Sequence, residues 1–480
     1  MLFNSIEFAI FLPIVYLLFW FVCNKSLRHQ NILIVASSFF FYGWWDWRFL
    51  GLLVFTAGID FFVAQALDKE ENLKSRKRLL AISLVGNLGV LGFFKYFNFF
   101  AESFSSAFTL FGDHLEVERL NIILPVGISF YTFQALSYTI DVYRRQLKST
   151  NDIVGYFAFI SFFPQLVAGP IERATNLLPQ FYVPKTFNYM EAKEGLKQIL
   201  WGLFKKVVIA DTCAGFVNDI FSHYDQFSFF MLFIGVAFFY IQVYGDFSGY
   251  SDIAIGTAKL FGFKLMRNFN YPLFARDMAE LWRRWHISLT TWFRDYVFFP
   301  LGGSRGTMLQ TCRNIMIIFI LSGLWHGAAW TYAIWGLING LFLLPLIITG
   351  NNKNNTGQVA ENRKIPTLRE FAGMITTFCL YSFSLIFFRS ASVKDAFSYM
   401  KSMSSLNFDF YANPQKNIEL GLQLLLLIVF FIIEWISRKI DYPLKSDKSN
   451  PVVRWAIYLL MGVFILANGQ NSDMFVYFHF

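Results

Sequence analysis

The chain has 480 residues, of which 55% are hydrophobic, 20% aromatic and only 15% charged, with a mean hydropathy of +0.44. Ordinary soluble chains are about 25% charged, so the composition excludes a string of soluble domains, as well as disorder, collagen-like repeats and a disulfide scaffold. The net charge of +9 has no dense basic tract or nucleic-acid module behind it; basic membrane loops account for it, and no nucleic-acid partner is expected.

A helix needs about 20 apolar residues to cross a bilayer. In chain order the candidates are 6–23, 31–49, 50–67, 79–100, 121–142, 228–245, 313–333, 330–350, 371–388, 418–436 and 452–469. They predict an all-α, polytopic membrane protein of about 10–12 transmembrane helices. The opening MLFNSIEF lacks a basic leader, and its apolar run is long enough to span, so no cleaved signal peptide is expected. Basic loops follow the first span (Lys25, Arg28), the third (Lys69 to Arg78) and the fifth (Arg144, Arg145, Lys148), whereas 101–120 is acidic, with Glu102, Asp113, Glu116 and Glu118. Positive loops stay inside, which puts the N-terminus outside. The basic stretch 437–454 is then inside and Gln470–Phe480 outside.

Between about 151 and 310 the pattern changes. Apolar runs shorten and are broken by Pro164, Gly169, Pro170, Pro179, Pro184, Gly245, Gly249, Pro272, Pro300 and Gly302–Gly303, with charges such as Lys205–Lys206 and Arg283–Arg284 inside them. Broken helices survive at membrane depth only where protein or a wet cavity satisfies their backbone. This stretch therefore reads as the functional core of a single membrane domain, 1–480, built of re-entrant and interfacial helices. Its parts are an N-terminal span bundle (1–150), a core (151–345), C-terminal spans (346–469) and an aromatic tail (470–480). The polar loop 351–368 is expected to be a flexible connection without chemistry. No internal repeat of the kind common in transporters is present.

Cys23, Cys213, Cys312 and Cys379 are scattered without a CxxC, and no Walker lysine, dinucleotide fingerprint, nucleophile elbow or HExxH occurs. Neither a metal site nor a tightly bound cofactor is expected. Of the histidines, His29, His114 and His223 lie in polar stretches and read as surface residues. His326, in LSGLWHGAAWTYAIWG, sits in an apolar run, where an ionisable residue is a functional candidate by default. A neutral imidazole there suits a general base acting on a hydroxyl, and the flanking Gly323 and Gly327 would leave a substrate room to approach. A packing histidine bonded to a neighbouring helix fits the same spacing. His286 lies in DMAELWRRWHISLTTWFRDYVFFPLGG, where Leu281, Trp285, Leu289, Trp292 and Tyr296 would share one face of an amphipathic interfacial helix. Arg283 and Arg284 beside it would clamp either a donor's phosphates or lipid headgroups. Glu172, Arg173, Asp246 and Asp252 form a polar set in apolar surroundings, best read as structural ion pairs, with the nearby arginines as partners of the two aspartates.

The stretches PVGISFYTFQALSYTIDVYR (125–144), LVAGPIER (166–173), YGDFSGYSDIAIG (244–256), NFNYPLFARDMAELWRRWHISLTTWFRDYVFFPLGGSR (268–305) and SGLWHGAAWTYAIWGLINGL (322–341) run in order over most of the chain. In them the sequence resembles the membrane-bound O-acyltransferase family, specifically its bacterial alginate O-acetyltransferase-like branch. The resemblance implies one helical membrane domain around a funnel or tunnel, with the WHG histidine, His326, as the central catalytic residue and the RWHISL histidine, His286, as the second. Asn339-Gly340 stands where many relatives have His-Gly, so any role of a third histidine is absent or taken by the Asn339 amide. The closing FVYFHF (475–480) matches an aromatic tail of this branch, which makes Tyr477 a candidate acyl carrier. An interfacial aromatic belt explains the tail equally well.

The expected activity is acyl transfer in a bacterial cytoplasmic membrane. Acyl-CoA, in the first place acetyl-CoA, or a carrier-protein thioester would bind at the inner mouth near Lys205, Lys206, Arg283 or Arg284. Trp325 and Asn339 are further candidates for substrate contact, and a partner acetyltransferase or esterase-like protein would complete transfer to an outer glycan. The rivals are D-alanyl transfer to teichoic acid, a polymer-precursor flippase and a non-catalytic scaffold.

Overall fold

The computed structural model describes residues 1–109, 119–405, 407–445, 450–469 and 475. Among the described residues the regular structure is helical throughout, and the all-α, polytopic class read from the sequence holds. Two compact units are present. The first comprises Met1–Ala192, Thr257–Met266 and Gly327–Ala329; the second comprises Lys193–Gly256, Arg267–His326 and Trp330–Phe480.

Eight described helices are long and apolar enough to cross a membrane. The differences from the hydropathy reading have local causes. The first run bends through a π turn, so α1 (Ile6–Leu17) continues only to Val22. The apolar stretch 121–142 becomes helical only from Ile128, because Gly127 takes a left-handed conformation (φ 76°) that stops the helix running back through Pro125. Leu27–Asp46 (α2) is 20 residues long but is not among the eight.

In the first unit α3 (Arg48–Lys69), α4 (Leu73–Leu91), which runs on through a π turn into α5 (Phe97–Thr109), and α6 (Ile128–Tyr143) are tied by buried polar groups. The Asp60 carboxylate accepts from Ser83 Oγ, from Asn87 Nδ2 at 2.7 Å and from Thr139 Oγ1 at 2.7 Å. Such interhelical hydrogen bonds hold bundles together where lipid offers no hydrophobic drive. Arg76 is buried although it belongs to a basic loop; it donates to the carbonyls of Leu67 and Glu70 at the end of α3 and to Val142 and Tyr143 at the end of α6. It thereby caps two helix C-termini at once. The short helices α7 (Ile153–Ile160) and α8 (Ala174–Leu177) flank the broken stretch around Pro164 and Pro170. Its backbone and side chains find partners inside the unit: Phe163 N–H donates to Ser38 Oγ at 3.0 Å, and Gln165 Nε2 to Gln134 Oε1 at 2.8 Å. Glu172, fully buried, accepts from Met266 N–H and from Asn176 Nδ2.

The second unit contains most of α9 (Tyr189–Leu203), then α10 (Asp211–Ser222) and most of the 32-residue α11 (Phe229–Leu260). Glycines let α9 and α11 touch backbone to backbone. A Cβ on Gly249 would fall 2.7 Å from the Gly202 carbonyl oxygen, and one on Gly256 would fall 2.6 Å from that of Gly195. This is the small-residue packing of membrane helices. Two short helices, α12 (Met278–Arg284) and α13 (Ile287–Phe293), precede the hairpin of α14 (Met308–His326) and α15 (Trp330–Ile348). The unit closes with α16 (Leu368–Arg389), α17 (Val393–Ser402), α18 (Pro414–Ser437) and α19 (Pro451–Asn468).

Candidate active site

The amphipathic helix expected across 281–296 is broken at the residue of interest. Asp277 caps α12 by accepting from Glu280 N–H at 2.7 Å, and the helix ends at Arg284. Trp285 is extended, His286 is left-handed (φ 42°), and α13 restarts at Ile287. A left-handed non-glycine costs energy and persists where its surroundings enforce it. The extended segment 268–270 does so. Asn270 N–H donates to Arg284 O at 2.9 Å, and Ile287 N–H to Asn268 O at 2.8 Å, on either side of the break. Asn268, fully buried, also accepts on Oδ1 from Ser288 N–H (3.2 Å) and Ser288 Oγ (2.8 Å), while its Nδ2 donates to Ser251 Oγ at 3.1 Å.

His326 is likewise at a break, the last residue of α14 rather than the interior of a span. The glycines that frame it serve packing. A Cβ on Gly323 would lie 2.1 Å from Tyr332 O, and one on Gly336 would lie 2.2 Å from Phe319 O. The space expected for a substrate beside Gly323 is thus filled by the backbone of α15, which lets α14 and α15 close tightly enough to bring Trp335 to His326.

The two histidines, 40 positions apart in sequence, share one buried pocket. Their ring centroids are 6.4 Å apart. Phe247 packs edge-on against His286 (4.5 Å), and Trp335 and Phe388 against His326 (5.2 and 5.3 Å). Trp325 lies beside both rings, 5.8 Å from His286 and 5.1 Å from His326. Val243, Asp246, Trp285, Tyr381, Leu385 and Phe475 complete the lining. Burial pushes the His286 imidazolium down to about 3, so the ring is neutral at physiological pH. Among the described residues its Nε2 is buried with no hydrogen-bond partner, and the indole Nε1 of Trp335 is in the same position. An apolar pocket holding a few unsatisfied polar atoms is suited to binding and turning over a small polar group.

The remaining candidates are placed as follows. Lys205 and Lys206 are buried and paired: Lys205 with Asp252 at 2.6 Å, Lys206 with Asp211 at 2.7 Å and Asp246 at 2.8 Å. Burial opposes the Lys206 charge, but Asp246 and Asp211 outweigh it and raise its pKa. The partners of the two aspartates are therefore lysines, not the arginines expected, because α11 faces the helical turn Phe204–Ala210 that carries Lys205 and Lys206. Arg283 is exposed and Arg284 buried, and neither is among the residues that line the pocket. Arg283 donates to Asn352 O and Asn355 O at 2.8 Å; Arg284 binds Glu280 at 2.8 Å, Gly357 O at 2.9 Å and Gln358 Oε1 at 3.0 Å. These contacts pin the loop 351–358, which the sequence had presented as a loose connection. Asn339 is fully buried and donates to Trp335 O (2.8 Å) and Ser384 Oγ (3.1 Å), joining α15 to α16 behind the pocket. Glu172 and Arg173 belong to the first unit and are not among the residues that line this pocket. Tyr477 lies outside the described residues, but Phe475 of the same tail is placed in the pocket, 4.8 Å from Tyr250 and 5.9 Å from Phe247 by ring centroids.

Sequence reading missed Asn268 and Ser288, which hold His286, and Phe388 and Tyr381, which line the pocket from α16. The first pair lies within the NFN and WHIS stretches and carried a signal as polar residues in a buried motif. The second pair is distant in sequence and had none.

A helical membrane protein whose chain breaks twice to put two histidines in one apolar pocket belongs to the enzymes of the bilayer rather than to its scaffolds. Residues 135–385 match the family model of MBOAT, the membrane-bound O-acyltransferase family. Three relatives agree. "Probable alginate O-acetylase AlgI" of Azotobacter vinelandii is 40% identical over 345 residues (72% of this chain, 68% of that protein). The protein of the same name from Pseudomonas aeruginosa is 36% identical over 438 residues (90% and 80%). The "Peptidoglycan O-acetyltransferase" of Helicobacter pylori is 30% identical over 527 aligned residues (100% and 98%). The chain belongs to the membrane-bound O-acyltransferase family, and it is an enzyme of that kind.

Proposed function

We propose that this enzyme is an O-acetyltransferase of a bacterial cytoplasmic membrane. It would move an acetyl group from a cytoplasmic thioester, acetyl-CoA, to hydroxyls of an extracytoplasmic polysaccharide. The names of the relatives, which specify O-acetylation of alginate or peptidoglycan, support the acetyl group and the glycan acceptor. Basic loops at 69–78 and 437–454 support a topology with both termini outside.

The observation that carries the reading is the shared pocket, in which His286 and His326 meet at 6.4 Å among aromatic rings. In it His326 accepts the proton of the incoming hydroxyl as the oxygen attacks the thioester carbonyl. The oxygen–carbon bond forms, the carbonyl becomes a transient oxyanion, and the carbon–sulfur bond then breaks. The departing thiolate takes the proton from His326, leaving an O-acetyl ester and a free thiol. Dry aromatic walls keep water from hydrolysing the thioester. Tyr477 serves as an acyl relay, two residues beyond Phe475, whose ring lines this pocket, and a partner protein outside the membrane completes transfer to the glycan.

The test is acetyl transfer from radiolabelled acetyl-CoA by the purified protein in proteoliposomes, with and without His326→Ala. Loss of at least 100-fold in a variant that elutes and melts like the wild type is expected (about 10²–10⁴-fold for a general base). Wild-type turnover in that variant overturns the assignment. Label incorporated from D-alanyl carrier protein and not from acetyl-CoA replaces the donor.

A further inference from the structure

The groups around His286 fix which of its two nitrogens carries the proton. Ser288 N–H donates to Asn268 Oδ1 at 3.2 Å. A backbone N–H can only donate, so this contact sets the orientation of the Asn268 amide without ambiguity. Its Nδ2 then points at Ser251 Oγ, 3.1 Å away. The oxygen so oriented also lies 2.8 Å from Ser288 Oγ, and an amide oxygen cannot donate; the Ser288 hydroxyl spends its single proton there. What Ser288 Oγ has left is lone pairs, and the side-chain polar atom facing them is His286 Nδ1, at 3.5 Å, the long end of hydrogen-bond range. That contact holds only with the proton on Nδ1. Nε2, on the opposite edge of the ring, then carries a bare lone pair, buried and without a hydrogen-bond partner among the described residues. Around the ring stand Phe247, Phe269, Trp325 and His326, and none of them reaches Nε2 within hydrogen-bond distance. The same Asn268 uses its main-chain oxygen to receive Ile287 N–H at 2.8 Å, so one residue holds both the strained backbone and the tautomer.

We infer that Asn268 and Ser288 are positioning residues that lock His286 as the Nδ1–H tautomer and so make it a hydrogen-bond acceptor towards the reacting groups. This rests on the active-site reading above and divides the labour within it. A neutral ring with a bare Nε2 cannot stabilise an oxyanion by donating to it. It receives and orients an O–H or N–H, either the acceptor hydroxyl or an amide N–H of the donor's pantetheine arm. Stabilisation of the oxyanion falls to donors elsewhere, and Trp335 Nε1, buried and without a partner among the described residues, is on a side chain that lines the same pocket.

The experiment is solid-state ¹⁵N NMR of histidine-labelled protein in bilayers, with His286→Gln used to assign the resonance, alongside kcat and KM for acetyl-CoA. In the wild type the His286 signals should show a protonated Nδ1 and an unprotonated Nε2. Ser288→Ala should populate the other tautomer and lower kcat about 100-fold (the scale of a misplaced catalytic group) with KM within about twofold. Ser288→Thr, which keeps the hydroxyl, should restore the tautomer. A wild-type His286 protonated on Nε2, or a tautomer unchanged in Ser288→Ala, overturns the inference. A purely structural role for Ser288 would lower the melting temperature and leave the tautomer in place. The two readings fail separately: full activity in His286→Gln sinks the catalytic assignment while leaving the tautomer measurable. An inactive His286→Gln with an Nε2–H wild type sinks only the positioning relay.

Discussion

Gly323→Ala is the most direct test of how the fold builds the pocket. The added Cβ would lie 2.1 Å from Tyr332 O, 3.0 Å from its carbonyl carbon and 3.3 Å from Gly336 N, all of them backbone atoms of α15. Carbon–oxygen contacts between helices settle at about 3.3–3.6 Å, so the two helices must part by about 1 Å. No side-chain rotation relieves a clash with backbone, and the overpacking should cost about 1–3 kcal/mol. The effect on turnover should be larger than the effect on stability. Gly323 is one turn before His326 on α14, and the other side of the crossing carries Trp335, whose ring lies 5.2 Å from that of His326. A displacement of about 1 Å in a catalytic group lowers rate about 100-fold. Acetyl transfer in proteoliposomes and thermal unfolding in detergent should be measured together. Gly421→Ala, where an added Cβ meets nothing within 4 Å, serves as the control and should match the wild type. Wild-type kcat in Gly323→Ala would refute the argument that backbone contact at this glycine sets the pocket.

Lys206→Met leaves Asp211 and Asp246 buried without their shared cation; breaking such a group should cost about 3–5 kcal/mol, read as a lowered unfolding midpoint that Asp246→Asn in the same chain partly restores. For Glu172, burial raises the carboxyl from 4.5 to about 7, so the folded state binds the proton more tightly than the unfolded chain. Its contribution is complete below about pH 4.5 and is lost as pH rises through 7, on the order of 3 kcal/mol across that window. Glu172→Gln should flatten the pH dependence of the melting temperature over that window, and an unchanged slope would show that the carboxyl stays ionised throughout.

The sequence by itself determined the class of molecule. A chain with 55% hydrophobic and 15% charged residues has too little polar surface for soluble domains, and the spacing of its apolar runs could only be met by membrane helices. The motifs around His286 and His326 were also legible, because a histidine in an apolar run is costly enough to be conspicuous. What periodicity could not convey is where a helix stops. Leu281 to Tyr296 keeps helical spacing through a break that comes from Asn268 and Asn270, more than ten positions upstream, taking the backbone bonds on both sides of it. Charges misled in the same way. Arg283 and Arg284 read as clamps for a donor's phosphates or lipid headgroups, and local sequence does not reveal that carbonyls of residues 352, 355 and 357 accept from them. Only the tertiary structure decided that Lys205 and Lys206 belong to Asp252, Asp246 and Asp211, and that Gly323 makes a helix crossing rather than a substrate opening. The reason is physical: one residue's apolar preference acts along its own helix, whereas hydrogen bonds and close packing are satisfied by whichever partner the fold brings within about 3 Å.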